Sequence, residues 1–333
     1  MKATTKTTTR PGSATHDRMA MELSILGLAL AWDRYLGEPP ADSHPVVEIG
    51  NLAKRFMGEP TGNEKADFEH GLGVAASVTA GSAAACAAAI QELRRAGPAA
   101  ELVGGAFLLK TTFAVRSMNE HALAVERCLA HGDIEGARHA VSMIVSRDVS
   151  GLDEEGIANT CVGSISENIT DSIVAPLLAY ALFGVPGALA YRAANTLDAM
   201  YGYRGKYEFL GKGAARLDDA LNYIPARIAG PAVAVAAGQL KMDATSSWQT
   251  MLNEHSRTLS PNSGWTIGAS AGALGIEIEK VGQYRLGPTG TRTSSQDISR
   301  SLMLFNRTAL IAAAAAAFMI VARNTGRVLR TSE

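Results

Sequence analysis

Several things that would betray a function at once are scarce or missing in this chain. Only three cysteines, Cys86, Cys128 and Cys161, occur in 333 residues. They lie far apart without metal-ligand spacing, which fits a reducing compartment or plain apolar packing. The seven histidines form no HExxH and no paired zinc spacing, so no structural zinc site is visible. Charge of either sign is not in excess: 31 Lys and Arg stand against 32 Asp and Glu. With no basic stripe, nucleic acid is excluded as a partner. There is no GxxxxGK[ST] and no GxGxxG between a strand and a helix, so any nucleotide is held in another way. Runs alternating with period two are absent too, and the expectation is an all-helical chain.

What the chain does have is apolar runs. Residues 71–90 (GLGVAASVTAGSAAACAAAI) and 172–191 (SIVAPLLAYALFGVPGALAY) are each 20 residues without a charge. That is the length needed to cross about 30 Å of hydrocarbon. Shorter runs lie at 23–31, 102–109, 228–240 and 308–322. One such run would suit the core of a soluble all-α protein. Six of them, rich in Ala, Gly, Ser and Val, point to closely packed membrane helices, where small residues let backbones approach. The fold class read from the sequence is all-α: a multi-pass helical membrane protein with broken or re-entrant helices and a polar helical insertion.

The chain divides accordingly. Residues 1–20 form a Thr-rich polar tail, expected to be disordered and lacking the apolar core of a secretory signal. Residues 21–115 hold N-terminal membrane helices and a first polar motif. Region 116–171 has a helical period, broken by Gly132 into short amphipathic helices. Segment 172–240 is apolar and interrupted. Its FGVPG at 183–187 carries a turn signal; a straight span would separate 164–171 from 195–203 by the whole bilayer, and the expectation favoured here is that 172–191 folds back and brings them to one side. Region 241–305, rich in Gly, Ser and Pro, reads as mostly loop with one helix around 243–257. Residues 306–333 are a C-terminal membrane helix and tail. Lys and Arg show no bias between the loops, so charge does not orient the chain.

Four polar clusters break this apolar background. The first is WDRYLGEPP at 32–40, followed by His44. The second is Ser146-Arg147-Asp148 with SENITD at 166–171, where Ser164, Glu167 and Asp171 share a helix face. An acidic solvated face is the bland reading. That face, however, runs straight into an apolar stretch where an unpaired carboxylate is costly. The third is NTLDAMYGY at 195–203, with Asn195 and Asp198 on one face and Gly202 leaving room for a ligand or another backbone. The fourth is AARLDDALNYIPAR at 214–227. There Arg216, Asp219 and Tyr223 line one face, Asp218 and Asn222 the next, and Pro225 is expected to end the helix. Arg216 with Asp219 also reads as an exposed pair of little energetic value. Acidic helix ends beside Arg and Asn suit a divalent cation with anionic substrates, since Mg²⁺ takes one or two carboxylates plus phosphate oxygens.

The motifs WDRYLGEPP…HPV, SRD, SENITD…AP, NTLDAMYGY, AARLDDALNYIPAR and SPNSGW…AGALG follow one another over residues 32–275. Together they resemble the membrane-bound adenosylcobinamide-phosphate synthase family of cobalamin biosynthesis. Glu38 stands where an Asp is more usual, and Ser172 where Gly is common; neither change removes a charge. A membrane family associated with β-lactamase regulation shares part of the architecture, but NTLD and RLDD together favour the synthase.

The resemblance implies ATP-dependent amide ligation of adenosylcobyric acid, a corrinoid, with aminopropanol or its phosphate. It implies ATP and Mg²⁺ as co-substrate and ion, with cobalt present only inside the corrinoid. It also implies a cytoplasm-facing site in the cell membrane. Glu167, Asp171, Asp198 and Asp219 are then the catalytic candidates, and Asp198, Asp218 and Asp219 the Mg²⁺ ligands. His44, Arg147, Asn168, Asn195, Arg216, Asn222, Arg227 and Asn262 are the candidates for holding substrate or phosphate. The alternative is a membrane protein that binds a corrinoid or senses a metabolite without turning it over.

Overall fold

The computed structural model describes the backbone of residues 11–203 and 205–331 and the side chains of 15–203 and 205–326. Among the described residues the chain forms helices and one small hairpin. In order these are α1 (Pro11–Tyr35), α2 (Pro45–Met57), α3 (Glu64–Ala96), α4 (Pro98–Lys110), α5 (Val115–Ala130), α6 (Ile134–Ser142), α7 (Glu154–Ile169), α8 (Ala175–Tyr201), α9 (Glu208–Gln239), α10 (Ala244–Glu254) and α11 (Ser263–Leu274). The antiparallel strands β1 (Ile278–Lys280) and β2 (Tyr284–Leu286) follow, and α12 (Ser295–Thr331) closes the fold. Side-chain caps open many of the helices. Asn63 accepts from Ala66 N at 3.2 Å, Asp133 from Gly136 N at 2.8 Å, Asp153 from Gly156 N at 2.8 Å and Asp243 from Ser246 N at 2.8 Å. Gly132, at φ 71°, separates α5 from α6 where a break was expected.

Three helical stretches are long and apolar enough to cross a membrane: Glu64–Ala96, Glu154–Tyr201 and Ser295–Gly326. The middle one is not a straight rod. A single π-type turn at Thr170–Val174 joins α7 to α8, and α8 breaks at Gly184 (φ 71°, ψ −167°) one residue into the FGVPG signal. The chain returns from the break, so that the charge of Asp198 acts on Asp171 although 27 residues separate them. In a straight helix those residues would lie about 40 Å apart.

Small residues bring the helices together. α3 crosses α9 at Gly71 and Gly213, where an added Cβ would fall 1.8 Å from the Leu210 carbonyl oxygen and 2.3 Å from the Leu72 nitrogen. At the end of the bundle away from the polar motifs, buried Glu22 on α1 accepts from Arg18 (3.1 Å) and Asn324 (3.1 Å) and pairs with Arg323. Glu101 on α4 accepts there from Arg18 (2.8 Å) and Arg94 (2.6 Å). Charges placed this deep survive because each is paired.

Four expectations need correction. Residues 11–20 are helical, the first part of α1, while 1–10 lie outside the described residues. Pro225 does not end its helix: α9 runs through Pro225 and Pro231 to Gln239, since neighbouring helices and side chains absorb the lost amide bonds. Region 241–305 is not mostly loop, because SGWTIGASAGAL forms α11, nearly all of it buried, and the hairpin and the start of α12 follow. Residues 154–169 form a core helix rather than an amphipathic one, with Ile157, Cys161 and Ile165 fully buried.

Candidate functional site

The π-type turn, the far limb of α8 and the first half of α9 bring the acidic motifs to one place. Asp218 is 8% exposed on α9 and is held from both sides. Asn195 Nδ2 donates to its Oδ1 at 3.3 Å and Asn222 Nδ2 to its Oδ2 at 2.9 Å. Both amides are themselves oriented, since Asn195 Oδ1 accepts from Arg192 Nη1 at 3.1 Å and Asn222 Oδ1 from the Tyr191 hydroxyl at 2.8 Å. Burial pushes the Asp218 carboxyl up to about 6, against the pull of those two amide donors. Asp219, half-buried next door, faces the loop before α11. Ser260 Oγ donates to its Oδ1 at 3.1 Å and Asn262 Nδ2 to its carbonyl at 2.8 Å. Burial raises its carboxyl too, more than the Ser260 bond and the charge of Arg216 lower it.

Glu167, Asp171 and Asp198 are also half-buried, and no side chain or amide donates to their carboxylates among the described residues. The charges of Asp218, Glu167 and Asp198 all bear on Asp171, and those of Asp218, Asp219 and Glu167 on Asp198. Gly202 makes room, but for a neighbour in sequence: a Cβ there would lie 2.0 Å from Asp198 Oδ1, so it is the Asp198 carboxylate that occupies the space. Elsewhere in the protein, buried carboxylates such as Glu22, Glu101 and Asp33 each have a cation within 4 Å. In this site five carboxylates lie within reach of one another's charge, and none has such a partner among the described residues. That is an unfavourable arrangement unless something positive joins it.

A second pole lies along α7. Asn159 donates to Glu277 O at 2.7 Å and accepts from Glu279 N at 2.9 Å, and Gly163 sits under Ile278. The hairpin thereby lies over α7 one turn at a time and carries Lys280, whose cross-strand partner is Tyr284, toward Glu167. Arg147 bonds Thr160 Oγ1 on the same helix, and the charges of both Lys280 and Arg147 act on Glu167.

Other candidates have different work. Asn168 is local, donating to Ser164 O at 2.9 Å and accepting from Ser172 Oγ at 2.7 Å across the start of the π-type turn. Arg227 spends its charge on the rim. Its guanidinium lies 3.4 Å over the Tyr223 ring and 5.1 Å from Trp265, and Nη1 donates to Tyr223 O (2.7 Å) and Asn262 Oδ1 (3.3 Å). Arg216 is exposed and forms no ion pair with Asp219 within 4 Å, so the expected pair is absent among the described residues.

His44 caps α2, accepting from Val46 N at 3.2 Å, and its Nε2 lies 3.2 Å from Glu38. Glu38 belongs to another centre, where fully buried Lys110 meets Glu38 Oε1 at 2.7 Å, Asp33 Oδ1 at 3.1 Å and the Phe113 carbonyl at 3.2 Å. Asp33 also accepts from Arg116 N at 3.0 Å. The first motif is thus a clamp between α1, α4 and α5.

No three His, Cys, Asp or Glu side chains among the described residues converge closely enough to cage a metal ion. The donors fit Mg²⁺ in its other habit, with one or two carboxylates completed by phosphate oxygens and water. Sequence reasoning missed Arg192, Tyr191 and Lys280. Arg192 carried a signal, being the first charge after the 20 uncharged residues 172–191.

Residues 26–305 match the family model described as CobD/Cbib protein. The cobalamin biosynthesis protein CobD of Dehalococcoides mccartyi is 38% identical over 290 residues, covering 87% of this chain and 94% of that protein. The probable cobalamin biosynthesis protein CobD of Methanocaldococcus jannaschii is 41% identical over 288 residues, covering 84% and 92%. Its counterpart in Thermococcus kodakarensis is 40% identical over 285 residues, covering 84% and 89%. No solved structure matches the chain.

Proposed function

The chain belongs to the CobD/Cbib protein family, and on that premise we propose that it acts in cobalamin biosynthesis by joining the carboxylate of adenosylcobyric acid to aminopropanol or its phosphate at the expense of ATP. The observation that carries this reading is the gathering of five carboxylates from three motifs within reach of one another's charge, with no cation paired to any of them among the described residues and the cationic side chains Arg147, Arg192 and Lys280 around them. Joined by Mg²⁺, such a site would suit a reaction between a carboxylate and the phosphates of ATP.

Amide formation from a free carboxylate requires activation. The substrate carboxylate oxygen attacks the γ-phosphorus of ATP, the bond to the bridging oxygen breaks, and ADP leaves. The amine nitrogen then attacks the carbonyl carbon of the acyl phosphate; phosphate departs and the nitrogen gives up a proton. One or two of Asp198, Asp218 and Asp219, completed by phosphate oxygens and water, would hold Mg²⁺, which would supply neutralisation of phosphate charge. Asp218, fixed by two amides, is the rigid member of that set. Glu167 and Asp171, without donors among the described residues, remain available to take the amine proton, as general bases do. Arg147 and Lys280, whose charges act on Glu167, would offset negative charge developing beside it.

The test is direct. Detergent-solubilised protein is incubated with adenosylcobyric acid, ATP, Mg²⁺ and each amine in turn, and the products are identified by mass. An amide product together with ADP supports the ligase. Tight corrinoid binding with ATP and amine unchanged sinks it in favour of the non-catalytic alternative.

A further inference from the structure

Arg192 carries a guanidinium that is only half engaged by the protein. It lies on the far limb of α8, inside a stretch long and apolar enough to cross a membrane. Three other buried or half-buried cations in membrane-length or neighbouring helices have carboxylate partners: Lys110 has Asp33 and Glu38, Arg323 has Glu22, and Arg18 has Glu22 and Glu101. Arg192 has none within 4 Å among the described residues, although Asp171 and Asp218 are near enough to feel its charge. Its Nη1 is committed to Asn195 Oδ1 at 3.1 Å. Its Nε is buried with no hydrogen-bond partner, and no bond engages Nη2 among the described residues. The edge formed by Nε and Nη2 is the fork that matches two oxygens of a carboxylate or phosphate. The protein leaves that edge without a partner among the described residues and holds the opposite one in place.

We propose that Arg192 receives an anionic oxygen group of a substrate on its Nε–Nη2 edge, within the acidic site. This rests on the ligase reading above, which supplies three such groups: the corrinoid carboxylate, the nucleotide phosphates and the phosphate of the amine.

The surrounding hydrogen bonds explain how the residue is aimed. The Tyr191 hydroxyl fixes the amide of Asn222, whose Nδ2 then faces Asp218. Asp218 in turn holds Asn195 Nδ2, leaving Asn195 Oδ1 to accept from Arg192. Reversing either amide would put two donors or two acceptors face to face, so the chain from Tyr191 to Arg192 has one self-consistent orientation. Carboxylates alone would repel an anion, and a guanidinium fixed among them gives it one place to dock. A lysine at the same position offers a point charge without the planar fork.

The test compares wild-type protein with Arg192→Lys and Arg192→Gln, full-length in detergent. Adenosylcobyric acid, ATP and aminopropanol phosphate are each varied with the other two saturating, and aminopropanol without phosphate serves as a fourth arm. The expected result for Arg192→Gln is a KM raised on the order of tenfold to a hundredfold for one anionic substrate, with a smaller change in kcat. Arg192→Lys recovers part of the loss. The substrate whose KM moves identifies the group received. KM values all within twofold of wild type, or an even loss of kcat with no KM shift, overturn the proposal. If Arg192→Gln does not accumulate, the Lys variant decides by the same criterion. If wild-type protein makes no amide, the ligase reading fails on its own, and equilibrium binding of the same probes to the wild-type and Lys proteins decides the role of Arg192 separately.

Discussion

Lys110 and Asp198 illustrate opposite uses of a buried charge. Lys110 is fully enclosed and satisfied by two carboxylates and a carbonyl. Replacing it with Met strands Asp33 and Glu38, and removing one partner of a buried pair costs on the order of 3–5 kcal/mol. The expected outcome for Lys110→Met is a markedly lower unfolding temperature in detergent, partly recovered by adding Asp33→Asn. Asp198 has no donor to its carboxylate among the described residues, so Asp198→Asn should fold at normal abundance yet form amide at least about a hundredfold more slowly, the scale of a lost positioned acid or base. Normal turnover in both Asp198→Asn and Asp219→Asn would remove the acidic site from the chemistry. Asp218 adds a pH signature. Burial raises its carboxyl to about 6, so the stability it lends as a neutral acid is fully present below its ordinary value of about 4. That stability is lost as pH rises through about 6. Without Mg²⁺, the unfolding temperature should fall across that window, and Asp218→Asn should flatten the fall. An unchanged slope would mean another group is responsible.

At the scale of elements, the α3–α9 crossing at Gly71 and Gly213 has no space for a side chain. Gly213→Val therefore forces the helices apart and should cost at least the 1–3 kcal/mol typical of overpacking. Protein abundance and unfolding temperature read this out, with Gly73→Val, where nothing lies within 4 Å, as the control. The sequence made much of this level legible. The apolar runs marked the long helices, Gly132 separated α5 from α6, and FGVPG marked the break in α8. It misled where tertiary burial overrides local signals: α11 is built from Gly, Ala and Ser that look like loop until α9 and α10 cover them, and Pro225 looks like a terminus until neighbours support the helix around it. The acidic residues of the site were legible because a charge entering an apolar stretch is conspicuous. Lys280 was not, because only a three-residue strand pair laid on α7 brings it near Glu167. The clamp at Lys110 was missed for a similar reason: its partners come from residues 33 and 38 on a different helix and loop.

For the whole molecule, three long apolar stretches imply that the protein stays with membranes after a carbonate wash, and release into the soluble fraction would count against spanning. Paired charges close one end of the bundle while unpaired carboxylates gather toward the other, so the two ends are chemically unlike. At the paired-charge end, beside the Ala181 and Leu182 carbonyls that Arg323 holds, stands the break at Gly184, with φ at 71°, a backbone shape that side chains resist. Asp171 and Asp198 sit on opposite limbs of that bend. Fourteen residues of helix separate Gly184 from Asp198, a lever arm of about 21 Å. A change of only about 5° at the bend would swing the Asp198 end by about 2 Å, as far as a Mg–oxygen bond is long. The gap across which the carboxylates face each other is thus calibrated from the opposite end of the protein. A substitution at Gly184, remote from every reacting atom, should register first as a shifted Mg²⁺ requirement.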